Sequence, residues 1–167
     1  MPLDIYEALL SILCLGAVVA IAFCGWKRGL RKIAGLLLAE YIFLIYGMTV
    51  IFRTVNEGVG HSLDPFWSYE AIRQGRVDLI AENVMNVVVF VPVGLLFGMA
   101  FRTITWWKVI LIGLCVSTSI EVMQFWLKRG FSEVDDVIHN TLGCLIGFMI
   151  IMLIEGLWLL RKRYLMN

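Results

Sequence analysis

Asn86, Glu121, Gln124, Asp135, Asp136 and Asn140 are the residues whose types and surroundings point to chemistry. They stand in or beside long apolar runs, where a charged or amide group is costly unless it finds a partner. Their spacing is helical. Glu121 and Gln124 are three apart, while Asp136 and Asn140, like Glu82 and Asn86, are four apart, so each helix presents its pair on one face. Arg129, between the last two runs, carries a planar guanidinium suited to a carboxylate or a phosphate. One use of such a set is binding, since carboxylates, amides and an arginine suit a polar head group. Another is catalysis, with Glu121 or Asp136 as general base and Arg129 stabilising developing negative charge. No obvious nucleophile accompanies them: Ser117, Thr118 and Ser119 are ordinary residues of an apolar run, and His61 and His139 are far apart in the chain. No metal-ligand spacing or cofactor motif is readable. Taken singly, each polar residue is most simply an interhelical hydrogen bond. Taken together, three helices committing polar groups to one depth point to a functional site.

The elements that must position these residues are of membrane length. The chain is 60% hydrophobic with a mean hydropathy of +0.87, against roughly 45–50% apolar residues in soluble domains. An apolar helix of about 20 residues crosses the ~30 Å hydrocarbon core. Five such runs, at about 5–26, 33–52, 83–101, 107–127 and 137–160, predict an all-α polytopic protein with one membrane domain over residues 1–167. The first run is read as a retained span, because Asp4 and Glu7 precede it where a signal peptide would be basic. Cys14, Cys24, Cys115 and Cys144 fall inside spans without CxxC spacing and read as small buried hydrophobes.

The net charge of +1 suggests no nucleic-acid partner, and the distribution of charge is what informs. Lys27, Arg28, Arg31, Lys32, Arg102, Lys108, Arg161, Lys162 and Arg163 fall on one side of the five-span map. The other side collects most of the acids. The positive-inside rule then predicts an N-terminus outside and a C-terminus in the cytoplasm, which puts the polar pairs in the outer third of the membrane. Trp106, Trp107 and Trp158 suit the inner interface. The long connection over 53–82 carries Leu63-Asp64-Pro65-Phe66-Trp67-Ser68-Tyr69 and is expected to lie along the outer surface, with a short helix over 69–76. Pro92 is expected to kink the third span, with Gly94 and Gly98 just beyond it. Gly143 and Gly147 form a small-xxx-small pair that permits close helix contact. Glu40 stands alone in the second span, where protonation or a basic partner would be needed.

These residues resemble a known family. The stretches Leu63-Asp64-Pro65-Phe66, Glu82-Asn83-Val84-Met85-Asn86-Val87-Val88-Val89-Phe90-Val91-Pro92-Val93-Gly94, Ser119-Ile120-Glu121-Val122-Met123-Gln124-Phe125, Arg129, and Asp135-Asp136-Val137-Ile138-His139-Asn140-Thr141-Leu142-Gly143 are similar to the VanZ-like membrane proteins. The ordered combination of N-x-x-x-F-x-P-x-G, E-x-x-Q and D-D-x-x-x-N-T-L-G covers roughly residues 63–150 and is specific where each block alone is weak. The resemblance implies a bacterial plasma-membrane protein, and in at least one relative protection against teicoplanin-type antibiotics, without an established reaction. It carries over Asn86, Pro92, Glu121, Gln124, Arg129, Asp136 and Asn140 as motif positions. The leading expectation is binding of a membrane lipid head group or a lipid-linked peptidoglycan precursor at the outer leaflet. An intramembrane enzyme is the alternative, and a small transporter or channel, which would need a homo-oligomer to enclose a path, is third.

Overall fold

The computed structural model describes residues 28–55, 60–101 and 103–166. The run expected over 5–26, with Cys14 and Cys24, lies outside them. Among the described residues, five α-helices carry the fold: α1 (Arg28–Tyr46), α2 (Trp67–Arg73), α3 (Asp78–Ala100), α4 (Trp106–Leu127) and α5 (Val134–Leu165). Among the described residues, four segments are long and apolar enough to cross a membrane, namely Leu30–Ile51, Asp78–Ala100, Trp106–Leu127 and Val134–Leu165. The protein is therefore an all-α polytopic membrane protein. Exposed Leu36, Phe43, Leu111, Trp126, Met149 and Leu153 give these helices an apolar outer surface suited to lipid.

The helices pack around buried Leu38, Tyr41, Phe90, Leu95, Leu96, Cys144, Phe148 and Ile151. Helix α3 lies against α5 through glycines on both. A Cβ added at Gly94 would fall 1.8 Å from the Cys144 carbonyl oxygen; one at Gly143 would fall 2.2 Å from that of Val87, and one at Gly147 2.0 Å from that of Val91. Only backbones without side chains between them can meet so closely, and dispersion and Cα–H···O contacts then replace the missing hydrophobic drive of a lipid solvent. Helix α3 continues through Pro92, whose ring is fully buried. Tyr41 ties α1 to the same pair, its hydroxyl donating to the Val89 carbonyl at 2.9 Å.

One end of the bundle is elaborated. There α1 runs into a π-helical turn, Gly47–Ile51, with Phe52 N–H closing on the Gly47 carbonyl at 2.8 Å. At the same end β1 (His61–Ser62) pairs in parallel with β2 (Ser132–Glu133), His61 opposite Ser132 and Ser62 opposite Glu133. The bridge leads directly into α2. Residues 61–73 thus form a strap across the ends of α3, α4 and α5. The short helix begins two residues before the expected 69–76 because its N-terminus is capped from another element. Phe66 sits at φ 67, and its N–H and that of Ser68 donate to the two carboxylate oxygens of Asp135 at 2.5 and 3.0 Å. The positive φ of a bulky residue is unfavourable, and these hydrogen bonds from α5 hold it.

Candidate functional site

The polar pairs of α3, α4 and α5 meet beneath the strap. Asn86 on α3 donates from Nδ2 to Asp136 Oδ1 on α5 at 2.6 Å. One turn further along α5, Asn140 Nδ2 donates to the Ser117 hydroxyl of α4 at 2.8 Å. Glu121 on α4 accepts the backbone N–H of Glu133 through Oε2 at 2.9 Å, so its carboxylate is tied to β2. Gln124, a turn beyond Glu121, donates from Nε2 to the Thr49 carbonyl in the π-helical turn at 3.2 Å. That turn exposes helix-end carbonyls with no partner of their own, and α4 supplies the donors.

Arg129 does the same. Its Nη1 donates to the carbonyls of Val50 and Ile51 at 3.2 and 2.5 Å, and no ion pair to Glu121, Asp135 or Asp136 is formed among the described residues. The arginine is thus held by the backbone of the turn. Asp135 is fully buried and takes three donors, the N–H groups of Phe66 and Ser68 and the Ser68 hydroxyl at 2.5 Å. Asn83 extends the chain by donating to the Ser68 hydroxyl at 3.1 Å. His139 points away from Asn140 and exchanges a hydrogen bond with the Tyr69 hydroxyl at 2.8 Å. Asp135 and His139 therefore anchor the strap, whereas Asn86, Glu121, Gln124, Asp136 and Asn140 lie below it on α3, α4 and α5, spread along about two helical turns.

The amide groups of these side chains are unevenly used. The amide donors of Asn86, Gln124 and Asn140 each have an acceptor. By contrast Gln124 Oε1 and Asn140 Oδ1 are buried without a donor among the described residues, on side chains only 4% and 5% exposed. A buried acceptor left unmade costs about 1–3 kcal/mol, so each of the two is a demand for a ligand or for water. Glu121, Asp136, Glu82 and Glu133 add a linked set of carboxylates whose charges act on one another. Glu133, on β2 outside the spans, is pushed up to about 7 by burial first and then by the charge of Asp136, with the Trp67 indole opposing. That indole donates to Glu133 Oε2 at 2.9 Å.

Two members of the site escaped the reading of spans. Arg53 is the cation whose charge acts on both Glu121 and Asp136. Its Nη1 lies 2.5 Å from where a Cβ on Gly130 would stand, and Gln124 Oε1 lies 3.3 Å from the same point. Gly130 thus provides both the space for Arg53 and, at φ 139, the backbone conformation that turns the chain after α4. Nothing local in the sequence pairs Arg53 with residues 68 or more positions away. Glu133 meets Glu121 where β2 pairs with β1, its N–H donating to the Glu121 carboxylate. Among the described residues, no group of three His, Cys, Asp or Glu side chains is arranged to hold a metal ion.

Comparison with known proteins places this arrangement in context. The family model described as VanZ/LLP1 matches residues 33–155, which include α3, α4, the strap and all the site residues. Protein VanZ of Enterococcus faecium is 35% identical over 66 residues, covering 40% of this chain and 41% of that relative. The matched region is thus about two fifths of the relative's length. No solved structure matches this chain.

Proposed function

The chain belongs to the VanZ/LLP1 family, and from that premise we propose that it binds the polar head of a cell-envelope component at the outer leaflet of the bacterial plasma membrane. A lipid head group or the polar part of a peptidoglycan precursor is the class of ligand. The observation that carries the reading is the pair of unmet buried acceptors, Gln124 Oε1 and Asn140 Oδ1, beside the Glu121 and Asp136 carboxylates. Membrane helices satisfy polar groups among themselves where they serve packing alone, because the surrounding lipid offers no partner. Here three helices and a strap converge and still leave acceptors open. On this reading, occupancy of such a ligand lowers susceptibility to teicoplanin-type glycopeptides.

Glu121→Gln, Asp136→Asn and Arg53→Ala, each expressed at wild-type level in a teicoplanin-sensitive host, test this. The expected result is loss of protection and a changed profile of co-purifying lipids for all three. Unchanged susceptibility and an unchanged lipid profile in all three would remove the reading. The outer-leaflet placement is tested separately with reporter fusions after Lys32, within residues 58–60 and at the C-terminus. The fusion within 58–60 is expected to report the outside and the other two the cytoplasm; the inverse pattern moves the site to the inner leaflet.

A further inference from the structure

We propose that Arg53 receives the phosphate of the envelope ligand, and that Gln124 Oε1 takes an O–H or N–H donor carried beside that phosphate. The proposal rests on the head-group binding above and names its chemistry. Arg53 follows the span Leu30–Ile51 by two residues, the depth at which lipid phosphates lie. The residues before it are fixed from the end of α4: Gln124 donates to the Thr49 carbonyl, and Arg129 Nη1 to those of Val50 and Ile51. The Arg53 guanidinium itself makes no hydrogen bond or ion pair among the described residues. Its turn is clamped and its donors are free.

Gly130 brings an open donor and an open acceptor to one place. Its Cβ position lies 2.5 Å from Arg53 Nη1 and 3.3 Å from Gln124 Oε1. The two are neighbours, yet they do not bond to each other: the oxygen is buried without a donor, on a side chain 4% exposed. A free donor and a free acceptor side by side call for a third group that meets both. A phosphoester does so, because its anionic oxygens accept from the guanidinium fork while its alcohol part carries a hydroxyl or amine to the amide oxygen. Glu121 and Asp136 feel the charge of Arg53 but form no ion pair with it, and each already has its own hydrogen-bond donor. Their charge favours a phosphodiester, with one negative charge, over a diphosphate. Exposed Phe52, Phe125 and Trp126 at the same end offer apolar surface to the chains of such a lipid. Asn140 Oδ1, about two helical turns deeper, takes no part.

The test uses the full chain in dodecyl maltoside micelles, which carry no phosphate. Isothermal titration compares dihexanoyl phosphatidylglycerol, dihexanoyl phosphatidylmethanol, dihexanoyl glucosylglycerol and geranyl diphosphate. Phosphatidylglycerol is expected to bind about tenfold or more tighter than the glucosyl lipid, the value of one charge-assisted hydrogen bond. Phosphatidylmethanol, a phosphodiester without a hydroxyl, is expected to fall between them; equality with phosphatidylglycerol overturns the role of Gln124 Oε1. Arg53→Gln is expected to erase the preference for phosphate and Arg53→Lys to keep part of it, with circular dichroism checking that each variant is folded. A preference kept in full by folded Arg53→Gln overturns Arg53 as the receptor. The ligand series itself is read on the unaltered protein and does not depend on a variant folding. Tightest binding of phosphatidylglycerol supports the phosphate and assigns a glycerolipid as its source; tightest binding of geranyl diphosphate supports it and assigns a diphosphate-linked precursor. If the glucosyl lipid binds as well as the phosphate ligands, the phosphate is overturned while head-group binding stands. If none of the four is bound, water alone joins Arg53 to Gln124 and both readings fall.

Discussion

Asp135 and Ser68 are joined twice, the Ser68 N–H donating to Asp135 Oδ2 at 3.0 Å and its hydroxyl at 2.5 Å across 67 residues of chain. With the Phe66 N–H on Oδ1, the carboxylate caps the first turn of α2 from the first turn of α5. The strap over the site is held by a group belonging to the helix beneath it. A fully buried carboxylate with three donors is stable in place, but each donor loses its partner if the carboxylate is removed.

Asp135→Ala is accordingly expected to release the strap and to cost about 3–5 kcal/mol. Asp135→Asn, which keeps one acceptor oxygen, should cost less. Limited proteolysis at residues 61–73, together with thermal melts in detergent, measures both. Equal protease resistance in wild type and Asp135→Ala would show that the strap is held elsewhere.

The α3–α5 contact predicts a sharp contrast among glycine substitutions. Gly147→Ala puts a Cβ 2.0 Å from the Val91 oxygen and 2.9 Å from the Leu95 nitrogen, both backbone atoms that cannot swing aside. The helices must separate, at a cost of about 1–3 kcal/mol or more. Gly35→Ala and Gly156→Ala meet nothing within 4 Å and should leave the melting temperature unchanged or raise it slightly, alanine being the better helix former by about 1 kcal/mol. Melting curves of the three variants side by side decide the matter.

Glu133 predicts a pH dependence of strap docking. Its carboxyl is raised from an ordinary 4.5 to about 7, so the folded state holds the proton more tightly than the unfolded one. The stability it contributes is complete below about pH 4.5 and is lost as pH rises through about 7. Trp67 fluorescence or hydrogen exchange over residues 61–73 should therefore show weaker docking at pH 8 than at pH 4, in the sense this group alone imposes. Glu133→Gln should flatten that part of the profile. A profile of the same amplitude in the variant would assign the titration to another group.

Arg129 predicts a local effect away from the cluster. Arg129→Ala leaves the Val50 and Ile51 carbonyls unmet at the end of the π-helical turn, at a cost of about 1–3 kcal/mol. Faster hydrogen exchange over residues 47–53 is expected, and Arg129→Lys should recover part of the protection because an ammonium also donates. Exchange unchanged in Arg129→Ala would mean that the turn is held by Gln124 and its own bonds.

Much of the candidate site was legible because buried polarity in a membrane helix is conspicuous. Asn86, Glu121, Gln124, Asp136 and Asn140 stand out against their apolar neighbours, and helical spacing groups them by face. Their partners were not legible. Arg129 looked like a carboxylate or phosphate ligand from its position, yet the π-helical turn of α1 leaves carbonyls that claim it, and no feature of residues 47–51 announces such a turn. Arg53 is one of several charges in the connection over 53–82. Its approach to Glu121 and Asp136 depends on Gly130, far along the chain, leaving room for its guanidinium.

The sequence by itself determined that this is a helical membrane protein, since apolar length against a ~30 Å core is a local property of each run. It also determined which residues would be costly to bury. Which of those residues are spent on each other, and which remain open, only the tertiary structure decided. A hydrogen-bond partner on another helix is fixed by how closely the backbones approach, and here the glycines of α3 and α5, the turn ending α1 and the Asp135 cap of α2 set that distance. The physical consequence is a cluster in which the amide N–H groups of Asn86, Gln124 and Asn140 are used and the acceptors Gln124 Oε1 and Asn140 Oδ1 are not.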